Sequence, residues 1–504
     1  MVPAPAGDPC SAGKGRSLVT LVDETAPFTR RSPATVVFEH AVATAWLGGV
    51  ALSPVWFGSN IPAIWGLHAL LFGSILAIYA LGGVAAPRPL PVPLGWLKLP
   101  LGALALMLAW AAIQTLPGIA FVLQNPVWTE VAQAFGKPVA GAISVYPEGG
   151  RIALLWAATA AAVFFLAVQI GRDPAWARIV LYGFAMTGGA IAVYGLIVYF
   201  GGNEWVLWLP KHAYRDALTA TFINKNNYGA FAGMVLICAF GLLLDRLPRS
   251  VPYETRRPRG ALLARAAGVI ALGAVFAANC ATLILSGSRG AAVVTVLGVM
   301  VVLSLYLSRL PAWRRPLFVA FGLSALGIIV FASTLGQLLS SRLPNLDEDL
   351  GARLAVDGRV IAAIEAAPWT GYGLGAFQQA FAMFRDASLS KQGRWEYAHN
   401  DWLEALMTLG IPVGLMIWLV FGWMLVRCFD GALNRGRDAI YPAIGAGVCT
   451  LAYIHTLVDF TMQIQGFAFP FLAVVGVGVA QSWSSRRAGR DTRQADPAIP
   501  RSDV

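Results

Sequence analysis

YPEGGRIALLWAATAAAVFFLAVQIGR, residues 146–172, decides the fold class. A polar, Gly-rich turn leads into residues 152–170, which carry no charged side chain, and a Gly-Arg pair ends the run. An apolar run of about 20 residues is the length a helix needs to cross the ~30 Å hydrocarbon core of a bilayer. Eleven more runs of this kind lie near 35–56, 61–84, 99–117, 178–200, 228–244, 266–285, 291–308, 316–336, 403–426, 440–460 and 466–483. The whole chain is 57% hydrophobic and 12% charged, with a mean hydropathy of +0.64 over 504 residues. A soluble domain is about half apolar and a quarter charged. The chain therefore reads as an all-α polytopic membrane protein of about twelve transmembrane helices, and a single large soluble core is excluded.

Charge sets the orientation. With the N-terminus placed inside and the helices alternating, the inner segments hold 25 of the 37 basic residues, six of them between Arg246 and Arg265. The net charge is then +13 inside and −2 outside, as the positive-inside rule asks, and both termini are cytoplasmic. The surplus of +11 needs no nucleic acid to explain it. Cys10 and Cys428 fall on the inner side, and Cys238, Cys280 and Cys449 fall within helices, so no disulfide framework is implied. The expected organisation is a disordered cytoplasmic tail (1–34), helices one to nine (35–336), a large periplasmic loop of short amphipathic helices (337–402), helices ten to twelve (403–483) and a basic cytoplasmic tail (484–504). Within the loop, GYGLG (371–375) follows no strand and reads as a turn rather than a dinucleotide fingerprint.

On the outer side the polar clusters stand at helix N-termini. They are YPEGGR (146–151), TFINKNNYGA (221–230), LSGSRGAA (285–292) and AHNDWLE (398–404). Helix N-termini present unpaired N–H groups and a positive dipole end, which favour anions. With Arg151, Arg215, Lys225 and Arg289 they make a candidate phosphate site, for which the guanidinium fork is suited. Asn224, Asn226 and Ser288 also suit helix capping, and Arg151 and Lys225 also suit interfacial anchoring. Arg289, set between two apolar helices, is costly without a partner.

His399 is a candidate general base, with Asn400 beside it and Asp401 or Glu404 as candidates to orient the ring. Offsets of two and five residues turn Asp401 and Glu404 about 200° and 140° from His399 on a helix, so the three share no face and no metal is expected. His455 and Asp459 suit either a helix–helix contact or a support for the site. A twelve-helix transporter of an envelope component is the alternative. Against it, most charges lie at the outer edge, with His68 and His455 the main mid-helix exceptions.

TFINKNNYGAFA, LSGSRGA, PWTGYGLGAFQQAF, HNDWLEALMTLGIPVG and IHTLVDFTMQI, spread over roughly 145–475, resemble the motif series of the O-antigen ligase and polysaccharide polymerase superfamily. SVYPEGGR and HTLVDF lean toward its exopolysaccharide-polymerase branch. The resemblance implies an inverting, metal-independent glycosyltransferase with no cofactor, at the periplasmic face of the bacterial inner membrane. It implies a glycan on undecaprenyl diphosphate as donor, and lipid A-core or a second lipid-linked glycan as acceptor. It also implies a functional trio of Arg215, Arg289 and His399. Asn224, Lys225, Asn226, Arg151, Asn400, Asp401 and Glu404 are the further candidates for holding the substrate. The family often has Asn-Pro-Asn where this chain has Asn224-Lys225-Asn226.

Overall fold

The computed structural model describes residues 32–87, 89–118, 122–247, 259–310, 316, 346–386, 389 and 395–483. It divides into two compact units, residues 1–41 and 42–504; the described part of the first is residues 32–41. In chain order the helices are α1 (Pro33–Leu52), α2 (Pro62–Ala85), α3 (Lys98–Thr115), α4 (Val127–Phe135), α5 (Pro147–Ile170), α6 (Pro174–Phe200), α7 (Lys225–Arg246), α8 (Arg259–Ser286) and α9 (Arg289–Leu307). They continue as α10 (Leu346–Ala366), α11 (Phe377–Ala382), α12 (Asp401–Leu409), α13 (Ile411–Asn434), α14 (Ile440–His455) and α15 (Gln465–Ala480). A two-residue antiparallel ladder, Trp205–Val206 against Leu209–Pro210, is the strand structure among the described residues. Nine of these helices are long and apolar enough to cross a membrane, so the chain is an all-α, multi-pass membrane protein. The expected helix at 316–336, most of the 1–34 tail, the 484–504 tail and parts of the 337–402 loop lie outside the described residues.

Two expected spans differ in the structure. Residues 403–426, read as one helix, are α12 and α13 separated at Gly410. Its φ of +79° suits glycine, and a Cβ there would lie 2.4 Å from the Trp369 carbonyl oxygen. Pro412 then opens α13, where its missing N–H costs nothing. Second, α14 and α15 are 16 residues each, about 24 Å and shorter than the hydrocarbon core. Every residue of α15 is buried, as are most of α14, so protein rather than lipid surrounds them: α7, α9 and α13 pack on α14, and α5, α14 and α13 pack on α15. Irregular backbone at membrane depth is tolerated where protein covers it, so helices this short can still belong to a membrane-embedded bundle. Gly298 and Gly447 bring α9 and α14 together: a Cβ on either would lie 2.7 Å from the other's carbonyl oxygen. The mid-helix histidines are satisfied locally, His68 Nδ1 at 2.7 Å from Gln465 Oε1 and His455 Nδ1 at 2.7 Å from Thr461 Oγ1.

The described part of the large loop has an apolar core of its own. Val356, Val360, Ala363 and Ile364 form a helical stripe on α10 that packs with Tyr372, Phe377, Phe381 and Met407. GYGLG is a turn, with Gly371, Gly373 and Gly375 all at positive φ. The buried Gln114 side chain at the end of α3 fixes it. Its Nε2 donates to the Thr370 and Thr408 carbonyls at 2.7 and 2.9 Å, and its Oε1 accepts from Leu374 N at 3.1 Å. This ties α3, the turn and α12 together just below the residues of interest.

Candidate active site

Four segments far apart in the chain meet at one place. They are the α1–α2 connection, the residues leading into α7, residues 395–401 and the 456–464 connection. Between them lies a cavity of about 240 Å³, lined by Phe57, Asn60, Tyr214, Phe222, Ile223, Asn224, Asn227, Trp395, Glu396, Tyr397, His399, Phe460 and Ile464. Asn224 caps α7, its Oδ1 accepting from Asn226 N at 2.7 Å. Tyr397 stacks on Phe460 with centroids 4.4 Å apart, and Trp395 and Phe460 stand edge-on to the His399 ring at 5.6 and 4.8 Å. His399 itself has φ +57°, a left-handed conformation unusual for a residue with a Cβ. Strain of this kind gathers at functional sites, and here it places the imidazole against the cavity just before α12 begins.

The carboxylate facing the imidazole is Asp459, its Oδ1 4.0 Å from His399 Nδ1. Asp459 is buried and fixed: Oδ1 accepts from Phe460 N and Oδ2 from Asn226 Nδ2, both at 2.8 Å. Arg353 reaches Asp459 Oδ2 at 3.9 Å and also donates to the Val458 carbonyl. His399 Nδ1 is buried and has no hydrogen-bond partner among the described residues. Burial pushes the His399 pKa down, Asp459 pulls it back up and Arg353 pushes it down again; the net shift is below the ordinary histidine value. Burial therefore favours the neutral form of the ring, the form a base needs.

Asp401 and Glu404, the two candidates for orienting His399, are engaged elsewhere. Asp401 accepts from Met462 N at 3.1 Å and from Gln463 Nε2 at 2.9 Å. Glu404 accepts from Ala398 N at 2.8 Å. Burial pushes both carboxyls up, Asp401 well above the usual range and Glu404 to about 7. Asn400 caps α12 through Leu403 N and hydrogen-bonds Asp357. Nearness in the chain suggested these partners; the turn at His399 and the return of the chain at 456–464 bring a different one, Asp459, to face the ring.

The candidate basic residues Arg215, Lys225, Arg289 and Arg151 are not in the cavity lining. Arg215 adjoins Tyr214 and donates through Nε to the Lys211 carbonyl at 2.9 Å. Lys211 is buried and binds Asn203 Oδ1 and the Ala217 carbonyl at 3.0 and 2.7 Å, which fixes the loop carrying Arg215; burial lowers its pKa to about 8. Lys225 lies over the Tyr214 ring at 5.8 Å. Arg289 opens α9 and makes no hydrogen bond or ion pair among the described residues. The next residue, Gly290, sits against Val458, where an added Cβ would lie 3.9 Å from Cγ2. Arg151 stands apart: it is exposed and paired with Glu148 at 3.0 Å. Groups of three or more His, Cys, Asp or Glu residues able to hold a metal are absent among the described residues.

Residues 272–419 match the family model described as O-antigen ligase. The match bears out the resemblance to the O-antigen ligase superfamily over that part of the chain. It covers Arg289, the GYGLG turn, Arg353 and His399, whereas TFINKNNYGAFA and IHTLVDF lie outside it. No curated protein matches the chain. Three contributors to the site escaped the sequence reading: Arg353, Asn60 and the aromatic lining. Arg353 sits in a charged stretch that looks like any solvated helix face, and no local pattern marks it.

Proposed function

We propose that this protein is a glycosyltransferase of the bacterial inner membrane. It moves a glycan from undecaprenyl diphosphate to an acceptor hydroxyl at the periplasmic face, with both termini in the cytoplasm. The observation that carries the reading is the convergence on His399: a neutral imidazole beside a fixed carboxylate, opening on a cavity of aromatic faces and amide side chains. Aromatic rings suit the apolar faces of sugars, and Asn60, Asn224 and Asn227 suit hydroxyls.

In this mechanism Nδ1 of His399 carries its proton toward Asp459, which leaves Nε2 as the base. The acceptor O–H bond breaks and its proton passes to Nε2. The oxygen attacks the anomeric carbon from the face opposite the diphosphate, and the C–O bond to phosphate breaks with its electron pair leaving on the diphosphate. The anomeric configuration inverts. Arg215 and Arg289 offset the charge that develops on the leaving group, and no metal is required. The acceptor is lipid A-core for a ligase or a second lipid-linked glycan for a polymerase.

The test is complementation of a deletion strain with wild type, Arg289→Ala or His399→Ala, followed by sizing of carrier-linked and surface glycans. Long chains stranded on the carrier identify a ligase; single repeats with loss of long polymer identify a polymerase. In vitro, His399→Ala should lower the transfer rate about 10²–10⁴-fold. Full complementation by both variants refutes the reading.

A further inference from the structure

Arg353 occupies a position that the mechanism above leaves unused. It projects from α10, outside the membrane-spanning helices, and its side chain is 34% exposed where that of Asp459 is 2% exposed. Asp459 is held on both oxygens by Asn226 and by the Phe460 amide and has no freedom to turn away. His399 and Arg353 face it from either side at 4.0 and 3.9 Å, both beyond hydrogen-bond range. One carboxylate is thus shared by two partners, neither of which has it fully. The other partner of Arg353 is an uncharged carbonyl, that of Val458. A guanidinium so placed gains by meeting a phosphate, whose oxygens match its fork and carry full charge.

We infer that Arg353 is a positioning residue that pairs with Asp459 while the site is empty and turns to the donor's diphosphate when the donor binds, leaving the Asp459 charge to His399. The inference rests on the glycosyl-transfer reading. An imidazole beside a carboxylate already offset by a guanidinium is a weak base. Withdrawing the guanidinium makes it a stronger one at the moment a substrate is present. Among the other charged groups nearby, Glu404 on α12 is engaged by Ala398, Asp401 on α12 by Met462 and Gln463, and Asp357 on α10 bonds Asn400. His455 on α14 bonds Thr461, Glu396 is exposed at the cavity, and Lys225 on α7 lies over Tyr214. Asp459 and Arg353 are the charges that act on the His399 ring.

The experiment compares full-length wild type, Arg353→Gln, Arg353→Lys and Asp459→Asn in lipid nanodiscs, measuring transfer from a polyprenyl-diphosphate glycan as a function of pH. The acid limb of kcat/KM reports the imidazole in the free enzyme. Arg353→Gln should move that limb to higher pH and raise the donor KM about tenfold. Asp459→Asn should move the limb to lower pH. Arg353→Lys keeps the charge, so the limb stays near wild type while the donor KM still rises because the fork is lost. An unmoved limb with unchanged KM in Arg353→Gln overturns the inference. If that variant does not fold, an unchanged donor KM in Arg353→Lys overturns it instead. A wild type that transfers nothing refutes the glycosyl-transfer reading and takes this inference with it, so the two failures are distinguishable.

Discussion

His399 and the five residues after it lie in one short motif, yet they divide into a closed half and an open half. In the closed half, Asn400 accepts from Leu403 N, Asp401 from Met462 N and Gln463, and Glu404 from Ala398 N, all within 3.2 Å. In the open half, His399 and Arg353 each face Asp459, at 4.0 and 3.9 Å, and His399 Nδ1 has no hydrogen-bond partner among the described residues. Buried polar groups are normally satisfied, and catalytic hydrogen bonds are often long in an unliganded site, so this unsatisfied nitrogen is free to close on Asp459 when a substrate meets Nε2. The closed half holds the backbone, and the open half is left for chemistry.

The largest effect that would test this division is on folding. Asp401→Ala leaves the Met462 N–H and the Gln463 amide without their acceptor, and should lower stability by about 2–4 kcal/mol. Unfolding followed in detergent checks it, with transfer measured per folded molecule. His399→Ala should do the reverse, leaving the unfolding midpoint near wild type while removing activity. If Asp401→Ala kept full stability and lost all transfer, Asp401 would belong to the open half.

Most of the fold could be read from composition and run length, because hydrophobic runs and basic inner segments are local signals. The break at Gly410 was missed because a Gly-Ile-Pro step inside an apolar run looks like continuous helix until a second segment passes close to it. Trp369 is that segment, 41 residues earlier in the chain. At the cavity, His399 and Asn224 were visible because they stand just before helix starts. The partner of His399 was harder, since Asp401 and Glu404 are close in sequence whereas Asp459 comes from the next pair of helices. Arg353 had no signal at all: its role exists only through a carbonyl and a carboxylate more than a hundred residues away.

A smaller effect follows from Glu404. Its pKa of about 7 in the fold stands above the ~4.5 of an exposed glutamate, so the folded state binds the proton more tightly. The stability this contributes is fully present below about pH 4.5 and is lost as pH rises through 7. Wild type should therefore lose up to about 3 kcal/mol between pH 5 and pH 8 from this group. Glu404→Gln keeps an acceptor for Ala398 N and has no proton to lose, so its unfolding midpoint should vary less over the same window. Equal slopes for the two proteins would show that another group carries the dependence.

The smallest effect is expected at Arg151, and it bears on the same division from outside. Its side chain is 59% exposed and its ion pair with Glu148, three residues earlier, is solvated, a kind of contact worth about 0–1 kcal/mol. The N-terminus of α5 that carries it packs on the GYGLG turn, where a Cβ on Gly149 would lie 2.9 Å from the Gly375 carbonyl oxygen, and the cavity lies elsewhere. Arg151→Ala should therefore leave transfer within about twofold of wild type and stability within about 0.5 kcal/mol. A tenfold or greater loss of transfer at unchanged stability would mean that donor binding brings the start of α5 over the cavity. The open half would then extend beyond His399, Asp459 and Arg353, and the GYGLG turn, fixed by Gln114 between α3 and α12, would be the joint on which that movement depends.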